Sequence, residues 1–348
     1  MTRDENKDPH VLDLEPLGRE LEAGIEGFRG LRKAVKFKGG QSNPTYLMEA
    51  ESGRYVLRAK PPGQLLKSAH QVDREFRVMK ALATNGVPVP DMLYLSDEQS
   101  AIGRMFFVMS YVDGRIFWDP ALPDETPASR AAIYDRMNEV LANLHALDPE
   151  AIGLGDFGRP GNYFARQIDR WTRQYHASET RKLEDVDWLI SWLETHQPPD
   201  DGAVSLVHGD YRIDNMMFEK DGSRILALLD WELSTLGHPL ADLSYQCMQW
   251  RLPHASGFRG IGGLDRSALG LPTKADYVDA YCRRRGLSGV DHWEFCLAFS
   301  FFRLAAIIQG VVKRAEDGNA SDPERAQQMA AAVPLLAGMA RNLVNEGR

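Results

Sequence analysis

Apolar residues recur at every second position in some stretches of this chain and at every third or fourth in others, and the change of rhythm divides it. Between Val11 and Gly27 the spacing predicts an amphipathic helix. Leu31–Glu51 reads as two strands around a glycine-containing turn, and Tyr55–Arg58 as a third strand after the turn signal at residues 51–54. Val72, Phe76, Met79 and Leu82 share one face of a helix reaching Asn85, with Ser68 as its N-cap and Gly86 as its stop. Val87–Pro90 must be extended, and Leu93–Leu95 with Met105–Tyr111 complete a small, mostly antiparallel sheet. After Asp113-Gly114 the period lengthens. Thr126 caps a helix opened by Pro127 and lined by Ile133, Met137, Val140, Leu144 and Leu147. Phe164, Ile168, Trp171 and Tyr175 line the next; Val186, Leu189, Ile190 and Leu193 line another, ended by Pro198-Pro199. From about residue 240 the pattern stays helical. The expected architecture is α+β: a β-rich lobe over residues 1–112, then a mostly helical lobe over 113–348.

One stretch interrupts the helical half. Leu206 and Val207 close a short apolar run, a polar loop covers His208 to Asn215, Met216–Phe218 is apolar again, and Asp221-Gly222 is a turn signal before Ile225–Leu229. If these runs pair as a hairpin, position 215 stands roughly opposite position 230, antiparallel partners having Cα atoms about 4.5–5.5 Å apart. Asn215 and Asp230 then share one end of the hairpin, with Asp210 in the loop beside them and Glu232 two residues on. A single Asp or Asn would be turn punctuation. Three oxygen-bearing side chains gathered at a strand end instead suit a hard divalent cation, and magnesium takes few protein ligands beside phosphate oxygens and water.

Composition narrows the picture. A chain of 348 residues exceeds the usual single core, and 43% hydrophobic with 26% charged residues belongs to a soluble globular protein. Forty-one Lys plus Arg against 49 Asp plus Glu give −8, which argues against broad nucleic-acid binding. Cys247, Cys282 and Cys296 lack any C-x-x-C spacing, and with a polar opening at Met1–Asp8 that does not read as a signal peptide they indicate reduced thiols in a cytoplasmic protein. Phe295–Val312 is the most apolar segment, but Ser300, Arg303 and Gln309 within it point to a buried helix, not a membrane span.

His208-Gly-Asp210-x4-Asn215 followed by Asp230-Trp-Glu232 resembles the catalytic core of the aminoglycoside phosphotransferase family, which is similar in fold to protein kinases. The resemblance runs from about residue 30 to 320. Residues 55–63, 68–75 and 229–243 are closer still to one subgroup, the kinase-like domain fused to some acyl-CoA dehydrogenases; this chain would be its stand-alone form. The resemblance implies a two-lobed kinase-like fold, with a small antiparallel-sheet lobe and a mostly helical one, and ATP- and Mg2+-dependent phosphorylation of a small-molecule hydroxyl. It implies Asp210 as the catalytic-loop aspartate that accepts or orients the acceptor proton, and Asn215, Asp230 and, more remotely, Glu232 as metal ligands. Arg212 stands where it would stabilise the transferring phosphoryl group, or else form a salt bridge to Asp214. The resemblance further implies that His208 braces the loop and that Asp242 hydrogen-bonds its backbone.

For the nucleotide, residues 39–43 occupy the place of the glycine-rich loop, with Gly40 and Ser42 as phosphate contacts. Arg58 stands where protein kinases carry a phosphate-binding lysine, and arginine can bind phosphate bidentately. Lys60 lies on the same strand face, so the alternation leaves the choice between them open. Glu75 matches the helix glutamate paired with that basic residue. Met109, Ser110 and Val112 match the interlobe hinge, with Met109 walling the adenine pocket and the backbone of Ser110 and Val112 bonding the base. The acceptor is less legible. Trp118, Tyr245, Trp250, Arg251, His254, Arg259 and Arg303 are available to it, and the kinship suggests a hydroxylated acyl compound. Two other functions compete: a non-catalytic nucleotide sensor, which the arginine at 58 permits, and an aminoglycoside kinase. A metal-dependent phosphohydrolase using His208, Asp210 and Asp230 would need a transition metal, for which no second His-rich motif speaks.

Overall fold

The computed structural model describes residues 11–37, 43–63, 70–254, 258, 260–318 and 323–346. They form two compact units, Met1–Ile116 with Asn215–Leu233, and Phe117–Asp214 with Ser234–Arg348. The division thus falls at Ile116 instead of 112, and the hairpin expected in the helical half groups with the sheet. The backbone explains this: Arg115 and Phe218 exchange N–H···O bonds of 2.9 and 2.8 Å, and the Leu228 N–H donates to Pro88 O at 2.8 Å.

The first unit begins with α1 (Leu14–Gly24), whose first turn is capped by the Asp13 side chain accepting the Glu15 N–H. Strands β1 (Leu31–Lys36), β2 (Thr45–Ala50) and β3 (Gly53–Ala59) follow, then α2 (Val72–Ala83), β4 (Met92–Leu95) and β5 (Phe106–Ser110). All neighbours pair antiparallel in the order β1-β2-β3-β5-β4. The two-residue alternation sorts the faces. Tyr46, Met48, Leu57, Phe106 and Val108 pack under Leu17 and Leu21 of α1. Arg58 and Phe107, of opposite parity, face α2, where the Phe107 ring lies 6.3 Å from Phe76. Ser68, the expected cap of α2, lies outside the described residues, and Gln71 precedes the helix without a side-chain cap.

The second unit carries α3 (Pro127–Ala146), α4 (Tyr163–Ala177) and α5 (Glu184–Thr195), then β6 (Ser205–Val207). The Thr126 hydroxyl accepts the Ser129 N–H at 3.2 Å, so the expected cap-then-proline start of α3 is present. The chain passes through the first unit as the hairpin β7 (Met216–Phe218) and β8 (Ile225–Leu228). It returns with β9 (Thr235–Gly237), which pairs antiparallel with β6 and is too short to show a period. Helices α6 (Leu240–Met248), α7 (Arg266–Leu269), α8 (Lys274–Arg285), α9 (Trp293–Glu316), α10 (Pro323–Met329) and α11 (Ala332–Glu346) complete it. α9 is long and apolar enough to cross a membrane, yet 83% of its most apolar window is buried among the chain's own residues, as expected for a core helix. All three cysteines are buried and unpaired.

Candidate active site

The hairpin is built as expected, with one correction. Met216 pairs with Leu228 and Met217 with Ala227, a bulge intervenes, and Phe218 pairs with Ile225. The Leu229 N–H donates to Asn215 O at 2.8 Å, so 215 lies opposite 229, not 230. The ladder therefore does not place Asp230. It sits one residue beyond, with φ of 67°, a left-handed conformation rare for a non-glycine residue and concentrated where a side chain is held for a purpose.

That turn brings Asp230 to Arg58. Arg58 Nη2 donates to Asp230 Oδ1 at 2.9 Å, with Glu232 Oε2 3.6 Å away, and Arg58 Nε lies 2.9 Å from Glu75 Oε2. Burial works against the Arg58 charge, but Glu75, then Asp230 and Glu232, outweigh it and raise the guanidinium above its ordinary value. Glu75 is 2% exposed; burial lifts its carboxyl pKa above the usual range even though Arg58 opposes the shift. The other Glu75 oxygen accepts from Asn43 Nδ2 at 2.8 Å, and Asn43 Oδ1 lies 2.9 Å from His70 Nδ1. Burial, then the charge of Arg58, lowers the His70 pKa. Lys60 instead pairs with the exposed Glu98 at 2.5 Å, past the strand's end. Of the two basic residues that the alternation leaves open, Arg58 is the one joined to Glu75.

Two carboxylates bracketing one cationic nitrogen make a donor set that suits a hard cation. Among the described residues no three His, Cys, Asp or Glu side chains form a metal cluster by themselves, so the predicted set consists of Asp230, Glu232 and the Asn215 amide. Gly40 and Ser42 lie outside the described residues. At the expected hinge, Met109 is buried on β5. The Ser110 N–H donates to Asp91 O at 2.9 Å, and Ser110 Oγ accepts the Asp91 N–H at 2.9 Å, so this N–H is not free for a base. Val112 makes no backbone hydrogen bond to another described residue.

In the second unit, Asp242 of α6 organises the loop after β6. It is 0% exposed, and it accepts the N–H of His208 at 2.6 Å, the N–H of Gly209 at 2.8 Å, and His145 Nε2 at 3.3 Å. Burial alone would raise its carboxyl; the bonds from His145 and the backbone hold it below the ordinary value instead. Burial keeps His145 neutral, and its Nδ1 is 2.8 Å from the Tyr281 hydroxyl. His208 Nδ1 accepts the Asp210 N–H at 3.1 Å, which fixes the backbone of the predicted base. The expected roles of His208 and Asp242 as loop supports are what these bonds perform. Arg212 spends Nε and Nη2 on Asp214, each at 2.7 Å, which is the salt-bridge alternative.

Sequence reasoning missed His145 and His70 and placed Asn43 only within the glycine-containing segment, because a lone buried polar residue on an apolar helix face or in a turn carries no periodic signal. Two of the acceptor candidates touch the loop: the Tyr245 hydroxyl bonds to Asp210, and Arg303 Nη2 donates to Gly209 O. Others do not join it. Trp250 is core, its Nε1 donating to Pro272 O at 2.8 Å; Arg251 pairs with Glu346 at 3.1 Å; His254 lies 3.2 Å from Asp119; Trp118 is 60% exposed. Arg259 lies outside the described residues. A cavity of about 520 Å3, lined by Tyr163, Asp201, His238 and Cys296 among others, contains none of the predicted residues.

A profile of the phosphotransferase enzyme family matches residues 33–295. The chain is 46% identical over 307 residues to mouse acyl-CoA dehydrogenase family member 10, covering 86% of this chain and 29% of that protein. With rat acyl-CoA dehydrogenase family member 11 it shares 42% over 320 residues, 90% of this chain and 41% of the relative. The chain thus spans less than half the length of these curated relatives. Among solved structures, a candidate aminoglycoside phosphotransferase from Ralstonia eutropha superposes with a TM-score of 0.88 at 47% identity, over 97% of this chain and 99% of the other. A spectinomycin phosphotransferase bound to ADP and spectinomycin shares the fold at 13% identity, with a TM-score of 0.63 over 95% and 98% of the two chains. The chain therefore belongs to the phosphotransferase enzyme family, on that family's kinase-like α+β fold, whose reaction is phosphoryl transfer to a hydroxyl group.

Proposed function

We propose that this chain transfers the γ-phosphoryl group of ATP to a hydroxyl of a small metabolite, with Mg2+, in the cytoplasm. The observation that carries the proposal is the Arg58 guanidinium, joined at once to Glu75 on α2 and to Asp230 and Glu232 beyond the hairpin. A basic residue fixed by a buried glutamate, beside carboxylates of an oxygen-donor set, is what holding a nucleotide's phosphates requires. Asn215, Asp230 and Glu232 would hold the metal, which when bound supplies charge neutralisation on the phosphates. Arg58 then exchanges its carboxylate partners for phosphate oxygens, to which its planar fork is equally suited. Met109 and the backbone of Val112 serve the base, and any contact at Ser110 is through its carbonyl.

Asp210 orients the acceptor hydroxyl and takes its proton. A strong base is not needed for this step, since the transition state is loose and the proton leaves late. Arg212, bound to Asp214, stiffens the loop that presents Asp210. The acceptor proposed is a hydroxylated acyl compound, in keeping with the acyl-CoA dehydrogenase relatives. ATP consumption measured against hydroxy acids, their thioesters, amino alcohols and aminoglycosides tests the reading. In Asp210→Asn turnover should fall about 10^2–10^4-fold while calorimetric affinity for Mg-ATP stays near that of the parent chain. Full activity in that variant would remove Asp210 as the base.

A further inference from the structure

The second unit holds an unbalanced pair of positive charges beside the Asp210 loop. Arg303, midway along α9, is 4% exposed. Its Nη2 is used by the Gly209 carbonyl, but its Nη1 is buried and has no hydrogen-bond partner among the described residues. The guanidinium lies over the ring of Tyr245 at 5.3 Å and of Trp171 at 5.7 Å. The Arg170 guanidinium lies over the same Trp171 ring at 5.1 Å. No carboxylate forms an ion pair with either arginine among the described residues. Burial, and then the charge of Arg303, lowers the basicity of Arg170. Two guanidiniums thus share one indole, and one of them has an unspent buried N–H, which is costly until an acceptor meets it.

Resting on the kinase reading above, we propose that Arg303 and Arg170 are the recognition site for an anionic group of the acceptor, a carboxylate or a phosphate, which accepts a hydrogen bond from Arg303 Nη1. A bound anion satisfies that N–H and offsets both charges, and the fork geometry of arginine matches it. The place is right for an acceptor. Gly209, held by Arg303, precedes Asp210, and Tyr245 touches Arg303 with its ring and Asp210 with its hydroxyl. Arg170 is exposed. Polycationic acceptors are disfavoured by the same charges.

Titration calorimetry on the full chain tests this with paired probes: 3-hydroxybutyrate against 1,3-butanediol, glycerol 1-phosphate against glycerol, and kanamycin. The anionic member of at least one pair should bind tenfold or more tighter than its neutral partner, and which pair discriminates separates carboxylate from phosphate. Arg170→Gln should erase at least tenfold of that preference without weakening the neutral compound, and Arg303→Lys should erase at least tenfold of it. Should Arg303→Lys not fold, the exposed Arg170→Gln, checked by its thermal melt, carries the test alone. Equal binding of anion and neutral partner, tightest binding of kanamycin, no binding of any probe, or an unmoved Arg170→Gln overturns the site. The kinase reading is judged separately by ATP consumption. Anion preference without turnover would sink that reading alone, and turnover without anion preference would sink this one.

Discussion

The two units bury charge in opposite ways. Around Arg58 a cation is matched by several carboxylates, of which Asp230 and Glu232 are 38% and 31% exposed. Around Asp242 a carboxylate with no exposure is matched by two backbone N–H groups and a neutral imidazole. The first arrangement joins side chains of β3, α2 and the segment after the hairpin, two of its carboxylates partly open to solvent. The second ties a side chain to the backbone itself, so the loop carrying Asp210 cannot shift without leaving buried groups unsatisfied. The contrast separates a cluster whose charges are partly open to solvent from one whose groups are bound to the backbone.

The comparison is broken most forcefully at Arg58. Arg58→Met leaves Glu75 uncompensated and should cost about 3–5 kcal/mol in denaturant unfolding, the range for removing one partner of a buried pair. Asp230 and Glu232, being partly solvated, add little to that. Millimolar Mg2+ should return part of the loss in this variant, by about 2.7 kcal/mol at a hundredfold excess over its Kd. If Mg2+ changes nothing, those carboxylates are not a cation site. Asp242→Asn should cost about 3 kcal/mol by the same unfolding measurement, because its amide nitrogen faces N–H donors. Here Mg2+ should have no effect.

Protonation sharpens the contrast further. The folded-state pKa of His145 lies below its ordinary 6.5, so the unfolded chain binds the proton more readily. The stability this represents is complete above about pH 6.5 and drains as pH falls from there towards the folded value, by at most about 1.4 kcal/mol per pH unit. His70 contributes in the same direction. Glu75, raised by burial, acts oppositely: its cost appears as pH climbs above the ordinary carboxylate value. Thermal melts between pH 5 and 7.5 should therefore flatten in His145→Gln relative to the parent chain, and an unchanged slope would show that His145 does not govern it. The smallest effect is expected at Lys60→Ala, within about 0.5 kcal/mol by thermal melt, since its partner Glu98 is 60% exposed. A loss as large as that at Arg58 would mean that the two basic residues have been assigned the wrong way round.

The sequence by itself determined the elements and most of the candidate donors. Strict alternation fixed that Arg58 and Leu57 face opposite sides of the sheet, the Thr126-Pro127 pair fixed a helix start, and the apolar runs around Asp221-Gly222 fixed a hairpin. Such signals are local, written in spacing and in backbone preference. Tertiary structure alone decided that Arg58 and not Lys60 meets Glu75, and that Asp230 is aimed by a left-handed residue one position off the ladder. It alone decided that Arg212 turns to Asp214, that the Ser110 N–H is already spent, and that His145 and Arg303 converge on residues 208–210. These outcomes depend on which buried polar atoms remain to be satisfied once distant segments pack together. That demand exists only in three dimensions, and no periodicity along the chain records it.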